Sequence, residues 1–234
     1  MYDILVIKEG YTKPMKRGLL EAGGSITLLK GPKNIIVDTG SPWDKDLLLS
    51  GLARSGLLPD DVSFAICTSG QAGKVGNLNL FPKAMHVVAS EVVRGTSYFL
   101  HRFREGIPFE IDDFVEIWPT PGHTGADVSV VVRGTQLGTV AVTGDLFEHL
   151  DDLEDPEIWQ STSERPELQQ QSRIDILRVA DYIVPGHGPM FKVPLEFRKQ
   201  MRMVMMHDEY YEEASGEGIT STVSQSQCII VETE

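Results

Sequence analysis

Three short segments constrain this chain more than anything else in it: Pro121-Gly122-His123-Thr124, Thr143-Gly144-Asp145-Leu146-Phe147 and Pro185-Gly186-His187-Gly188. Each sets a polar side chain among glycines at the end of an apolar, β-branched run, which reads as a strand. Glycine lets the backbone turn sharply and approach a neighbour, so the imidazole or carboxylate is left at a strand end facing a common cleft. Two imidazoles and one carboxylate from distant loops form a metal-ligand set suited to Zn²⁺ or Fe. Any one of them alone reads more readily as a hydrogen-bonded structural residue.

The rest of the chain supplies the sheets those loops require. Ile4–Ile7 and Ser25–Leu29 are apolar stretches, and Gly31-Pro32-Lys33-Asn34 offers turn chemistry before Ile35-Ile36-Val37, so a hairpin is expected. Asp38-Thr39-Gly40 follows, with Ser41 as N-cap, Pro42 at the first helical position and Asp44 placed for a capping box. A helix carrying Leu47, Leu48, Leu49 and Leu52 should end near Gly56. Further strands are expected at 62–67, 85–89, 114–118, 128–132, 139–143 and 182–184, with a helix over 167–179. A second helical pattern runs from Leu195 to about Ala214, a tail rich in Gly, Ser and Thr follows, and Cys228–Val231 could form a last strand. With 234 residues and no linker or repeat, one domain over 1–214 and a mobile tail over 215–234 are expected.

Composition excludes several classes. At 41% hydrophobic and 24% charged residues the chain is neither disordered nor membrane-spanning, and Asp3, Lys8 and Glu9 interrupt any apolar leader. Cys67 and Cys228 are too few for a disulfide framework, so both are expected to be reduced and the protein cytoplasmic. A net charge of −13 opposes binding to nucleic acid. Gly70 to Val75 fails as a phosphate loop, because Thr68 stands at the first glycine of that motif and Val75 at its hydroxyl. Met201, Met203, Met205, Met206 and His207 alternate in a way that favours packing over soft-metal ligation. His86, His101, His149 and His207 read as ordinary polar residues, and the seven acids from Asp145 to Glu157 as a solvated loop. Arg94, Arg102 and Arg104 form a modest basic cluster in an insert expected to border the cleft.

Taken in order, Asp38-Thr39-Gly40, Thr120–Thr124, Gly144-Asp145 and Pro185–Gly188 resemble the strand-end motifs of the metallo-β-lactamase superfamily. The segments VDTGSPW, GNLNLFP, PTPGHTGADVSVVV, VTGDLFE and VPGHGPMF are most similar to its metallo-β-lactamase domain-containing protein 1 group, over roughly residues 35–192. The resemblance implies an α+β fold, an αββα sandwich with a metal cleft at one edge. It also implies a cytosolic and nuclear location, a homodimer, and an endoribonuclease-like hydrolase as the group's best-known activity.

One motif departs. The superfamily's His-x-His-x-Asp-His falls on the loop after Cys67, where Ser69, Gln71, Gly73 and Lys74 stand in place of the four ligands. By the resemblance, each of two metal sites loses two protein ligands, and Gly73 replaces the catalytic aspartate. Two readings follow. In the first the chain keeps the scaffold, has weak or no hydrolytic activity and acts as a binding or regulatory protein with a protein partner. In the second, His123, Asp145 and His187 hold one Zn or Fe ion, with Gln71 or Ser69 as a weak donor, and the chain hydrolyses an RNA phosphodiester or a thioester. Lys74 either replaces the missing cation by pairing with Asp145 or points to solvent.

Overall fold

The apolar runs become strands buried on both faces, and this dictates the layering. The computed structural model describes residues 1–198. The first half contains β1 (Asp3–Lys8), the hairpin β2 (Tyr11–Pro14) and β3 (Leu20–Gly23), β4 (Ile26–Lys30), β5 (Ile35–Val37), α1 (Lys45–Arg54), β6 (Phe64–Cys67), the one-turn α2 (Ala72–Val75), β7 (Met85–Val88), β8 (Glu91–Arg94) and β9 (Ser97–Phe99). The second contains β10 (Phe109–Asp112), β11 (Val115–Pro119), β12 (Val128–Thr135), β13 (Gly138–Gly144), α3 (Glu157–Gln160), α4 (Pro166–Val179), β14 (Tyr182–Pro185) and β15 (Phe191–Lys192).

One sheet has the order β1-β4-β5-β6-β7-β8-β9, the other β10-β11-β12-β13-β14-β15, and β2 pairs only with β3. Period-two alternation sends Val37, Ile66 and Val87 from the first sheet against Ile117, Val130 and Val142 of the second. The intervening residues face outward onto helices. Leu28, Ile36 and Ala65 pack on Leu48 and Leu52 of α1, and Val131, Ala141 and Ile183 pack on Ile176 and Leu177 of α4. Because each sheet is covered on both faces, its strands read as continuous apolar runs. This is the expected αββα sandwich.

The expected hairpin is β4 with β5, antiparallel with Thr27 opposite Val37. Asp44 caps the entry to α1 by accepting from the Ser41 N–H and hydroxyl, both at 2.8 Å. Strands β5 and β6 run parallel, as do β6 and β7, and β13 and β14. That arrangement puts the ends of β5, β6, β13 and β14 at one rim of the sandwich. Among the described residues no helix is long and apolar enough to cross a membrane. The helix expected over 195–214 begins at 195, and the remainder of it, the methionine cluster and the tail lie outside the described residues.

Candidate functional site

Each candidate side chain hangs on a loop that leaves a strand end, and the loops brace one another. Asp38, just past β5, has the left-handed φ of 58°, which aspartate tolerates better than most residues. Its N–H donates to the Ile66 carbonyl at 2.7 Å, and its Oδ1 accepts from the Thr68 N–H at 2.7 Å. The Lys74 carbonyl accepts from the Thr39 N–H at 2.7 Å and the Thr39 hydroxyl at 2.8 Å. The Asn77 amide donates to the Thr39 and Ser41 carbonyls at 2.8 and 2.7 Å. The Asp38-Thr39-Gly40 segment thus holds the altered loop in place.

With its backbone held there, the Lys74 side chain runs inward and is 1% exposed. Its Nζ stands 2.8 Å from Asp145 Oδ1 and 3.6 Å from Asp38 Oδ2. The contact with Asp145 is an ion pair whose angles fall outside those of a directed hydrogen bond. The solvent-facing alternative for Lys74 is therefore corrected: two carboxylates offset the several kcal/mol that burying an isolated ammonium would cost. Burial works against the Lys74 charge, but Asp145 and then Asp38 outweigh it and raise its pKa. Burial also opposes ionisation of Asp145, yet Lys74 and His187 hold its carboxyl well below the usual range. Asp38 is shifted upward because burial there exceeds the help from Lys74 and Thr68.

Two glycines permit this convergence. Gly144 has a φ of 54°, and a Cβ there would lie 2.2 Å from Thr68 Oγ1, while one at Gly186 would lie 2.0 Å from Asp145 Oδ1. A side chain at either would drive the strand ends apart. At Gly73 a Cβ would meet nothing within 4 Å. The absence of a carboxylate at 73 is thus a change of chemistry and not a demand of packing.

His123 and His187 flank Asp145. His123 Nε2 is 3.8 Å from Asp145 Oδ2, and His187 Nε2 is 3.3 Å from Asp145 Oδ1. Gln71 Nε2 donates to His123 Nε2 at 3.1 Å, which needs the ring proton on Nδ1 and occupies the lone pair a metal would use. The Ser69 hydroxyl oxygen accepts from the Gln71 N–H at 3.4 Å, within the loop itself.

Nothing in the sequence singles out Glu148, which lies in the acidic stretch. Its Oε2 is 3.9 Å from His187 Nε2, and donor atoms of Asp145, Glu148 and His187 lie within 4.8 Å of one another. Nor is that stretch a solvated loop. Leu146, Phe147 and Asp152 are buried, and Arg173 of α4 grips Asp152 at 2.7 Å. Arg173 was likewise invisible in the sequence, since nothing local to α4 announces its partner.

A cleft of about 450 Å³ opens above these residues. Its floor is Gln71, His123, Asp145, Glu148 and His187, and its walls include Thr12 and Leu20 of the β2–β3 hairpin and Ile158 of α3. The expectation that the insert with Arg94, Arg102 and Arg104 borders the cleft is corrected: it forms β8, β9 and the turn before β10, and the hairpin takes the wall instead. His149, read as an ordinary polar residue, lines the cleft as well.

The fit of these residues to a metal pair can be judged from the donors. Asp145, which would have to serve such a pair, is in contact with an ammonium, Ser69 and Gly73 offer no strong ligand, and the Nε2 of His123 is engaged by Gln71. The residues present do not fit a two-metal centre.

Burial, with Asp145 adding to it, pushes Glu148 up to about 7 from 4.5. Between those values the folded protein holds a proton that the unfolded chain has released, so this group's contribution to stability is lost as pH rises through the interval. Glu148→Gln should therefore stabilise the protein relative to wild type at pH 8 and not at pH 4.5, as read from urea midpoints at the two pH values.

A sequence profile described as the metallo-beta-lactamase superfamily matches residues 21–187. Metallo-beta-lactamase domain-containing protein 1 of Xenopus laevis is 47% identical over 194 residues, covering 82% of each chain. The Homo sapiens protein of the same name is 41% identical over 222 residues, again covering 82% of each chain. Among solved structures, a quorum-quenching N-acyl homoserine lactone hydrolase superposes with a TM-score of 0.59 at 19% identity, over 79% of this chain and 91% of that one. The AiiA protein of B. thuringiensis superposes with a TM-score of 0.58 at 18% identity, over 79% and 92%. At these identities the structural likeness shows the fold alone.

Proposed function

This chain belongs to the metallo-β-lactamase superfamily, a family of hydrolase fold, and from that premise we propose that it uses the cleft for binding and not for two-metal hydrolysis. The observation that carries the reading is the buried Lys74 ammonium 2.8 Å from Asp145 Oδ1. Hydrolysis by a metal would require donors that hold the ion beside an open position for water. An ammonium compensates the carboxylates but offers no coordination site for that water, and Gly73 brings no general base.

The open cleft and its hairpin wall support a binding or regulatory role, with a second copy of the chain or another protein as partner. The cytoplasm or nucleus is the setting proposed. A net charge of −13 and the acidic residues beside the cleft argue against RNA as ligand.

A second reading, a hydrolase with one Zn or Fe ion, is favoured by the closeness of Asp145, Glu148 and His187. Metal analysis of full-length protein purified without chelator, paired with assays on phosphodiester, thioester and lactone substrates, separates the two. The binding reading expects a metal-free chain without turnover, in wild type and in His123→Ala alike. About one ion per chain together with turnover, both lost in His187→Ala, would reject it in favour of the single-ion hydrolase.

A further inference from the structure

Lys74 does more than compensate charge, because of what surrounds its tip. Asp145 Oδ1, on a side chain only 5% exposed, contacts Lys74 Nζ and lies 3.3 Å from His187 Nε2, but receives no directed hydrogen bond. Glu148 and His187 face the same point, so two carboxylates and one imidazole converge beside the ammonium. Gly24 leaves the space around the tip without a side chain, since a Cβ there would come within 3.4 Å of Nζ.

We infer that Lys74 is a tethered cation that keeps closed a single divalent-metal site whose ligands are Asp145, Glu148 and His187. An oxygen-oxygen-nitrogen set of this kind suits Zn²⁺, Mn²⁺ or Fe²⁺. Glu148 supplies a donor that the superfamily motifs do not assign. The inference rests on the reading that the wild-type cleft holds no metal. Truncating Lys74 removes the one cation that, among the described residues, faces both Asp38 and Asp145, and opens the volume it fills, leaving buried carboxylates that a metal ion can neutralise.

The test uses the full chain and Zn²⁺ or Mn²⁺ alone. Without metal, Lys74→Ala should melt roughly 6–20 °C below wild type, as expected for a broken buried pair in a chain of this size. With metal at a hundredfold excess over its Kd, the melting temperature should recover by roughly 5–11 °C, and dialysed protein should retain about one ion per chain. Lys74→Met fills most of the same space without charge and should take up none. Lys74→Ala/His187→Ala should lose the uptake. If Lys74→Ala does not fold, Lys74→Ala/Asp38→Asn removes the carboxylate that is not a ligand and preserves the three donors.

Absence of uptake by either opened variant, with wild type metal-free, overturns the tethered-cation inference and leaves the binding reading standing. Metal in wild type with Lys74 intact overturns the binding reading as well.

Discussion

Asp145→Asn is expected to lower the free energy of unfolding by about 3–5 kcal/mol, the cost of leaving a buried charge without its main partner. The asparagine keeps the shape that Gly186 accommodates, so the loss is electrostatic and not steric. Among the described residues Lys74 would retain Asp38, at 3.6 Å, as its ion-pair partner. The double variant Lys74→Met/Asp145→Asn should be destabilised by clearly less than the sum of the single changes, because neither member of the pair is left facing a lost partner, while Asp38, which loses the ammonium in both Lys74 variants, keeps its bonds from Thr68. Urea unfolding of the four proteins measures this, and additivity within about 0.5 kcal/mol would contradict the pairing. The pH dependence has a definite sign. The Asp145 carboxyl is held below its ordinary value, so its contribution is present above about pH 4 and is lost as pH falls further. The gap between wild type and Asp145→Asn should thus persist from pH 8 to pH 5 and narrow below pH 4.

Arg173→Lys is the second large effect, about 3–5 kcal/mol although the charge is conserved. The guanidinium reaches Asp152 Oδ1 at 2.7 Å and Oδ2 at 3.1 Å, and donates to the Leu146 and Asp152 carbonyls at 2.8 and 3.0 Å. Its carbon also sits 4.1 Å from the Phe147 ring centre and 4.8 Å from that of Trp159. A lysine ammonium can neither fork onto the carboxylate nor stack between two rings. Asp152 in turn accepts from the Glu148 N–H at 2.6 Å, so the same clamp positions one of the three donors at the cleft. Arg173→Lys should therefore unfold at lower urea, and in a Lys74→Ala background should weaken metal retention. Full retention of the urea midpoint would show that the clamp is dispensable.

Much of the architecture was legible along the chain because its causes are local. Strands buried on both faces write themselves as apolar runs, as at Val128–Val132 and Ile35–Val37, and the capping pair Ser41 and Asp44 marks the entry to α1. The β2–β3 hairpin was not legible. Its four-residue strands are almost wholly exposed and show no apolar alternation, so no pattern separates them from a loop. The acidic stretch misled for the opposite reason: its composition is that of a solvated segment, while Asp152, buried within it, is held by an arginine 21 residues away.

The sequence alone determined the apolar strands and the glycine-built loops, since these follow from residue type, spacing and order, and its resemblance to the superfamily implied the sandwich and the loss of the ligand motif at Ser69, Gln71, Gly73 and Lys74. Only the tertiary structure decided where the Lys74 charge goes, that Glu148 joins Asp145 and His187, and that the hairpin and not the arginine insert walls the cleft. The physical reason is that a buried charge is settled by its neighbours in space: Asp38, Lys74 and Asp145 lie far apart along the chain and meet only when the ends of β5, β6 and β13 reach the same rim.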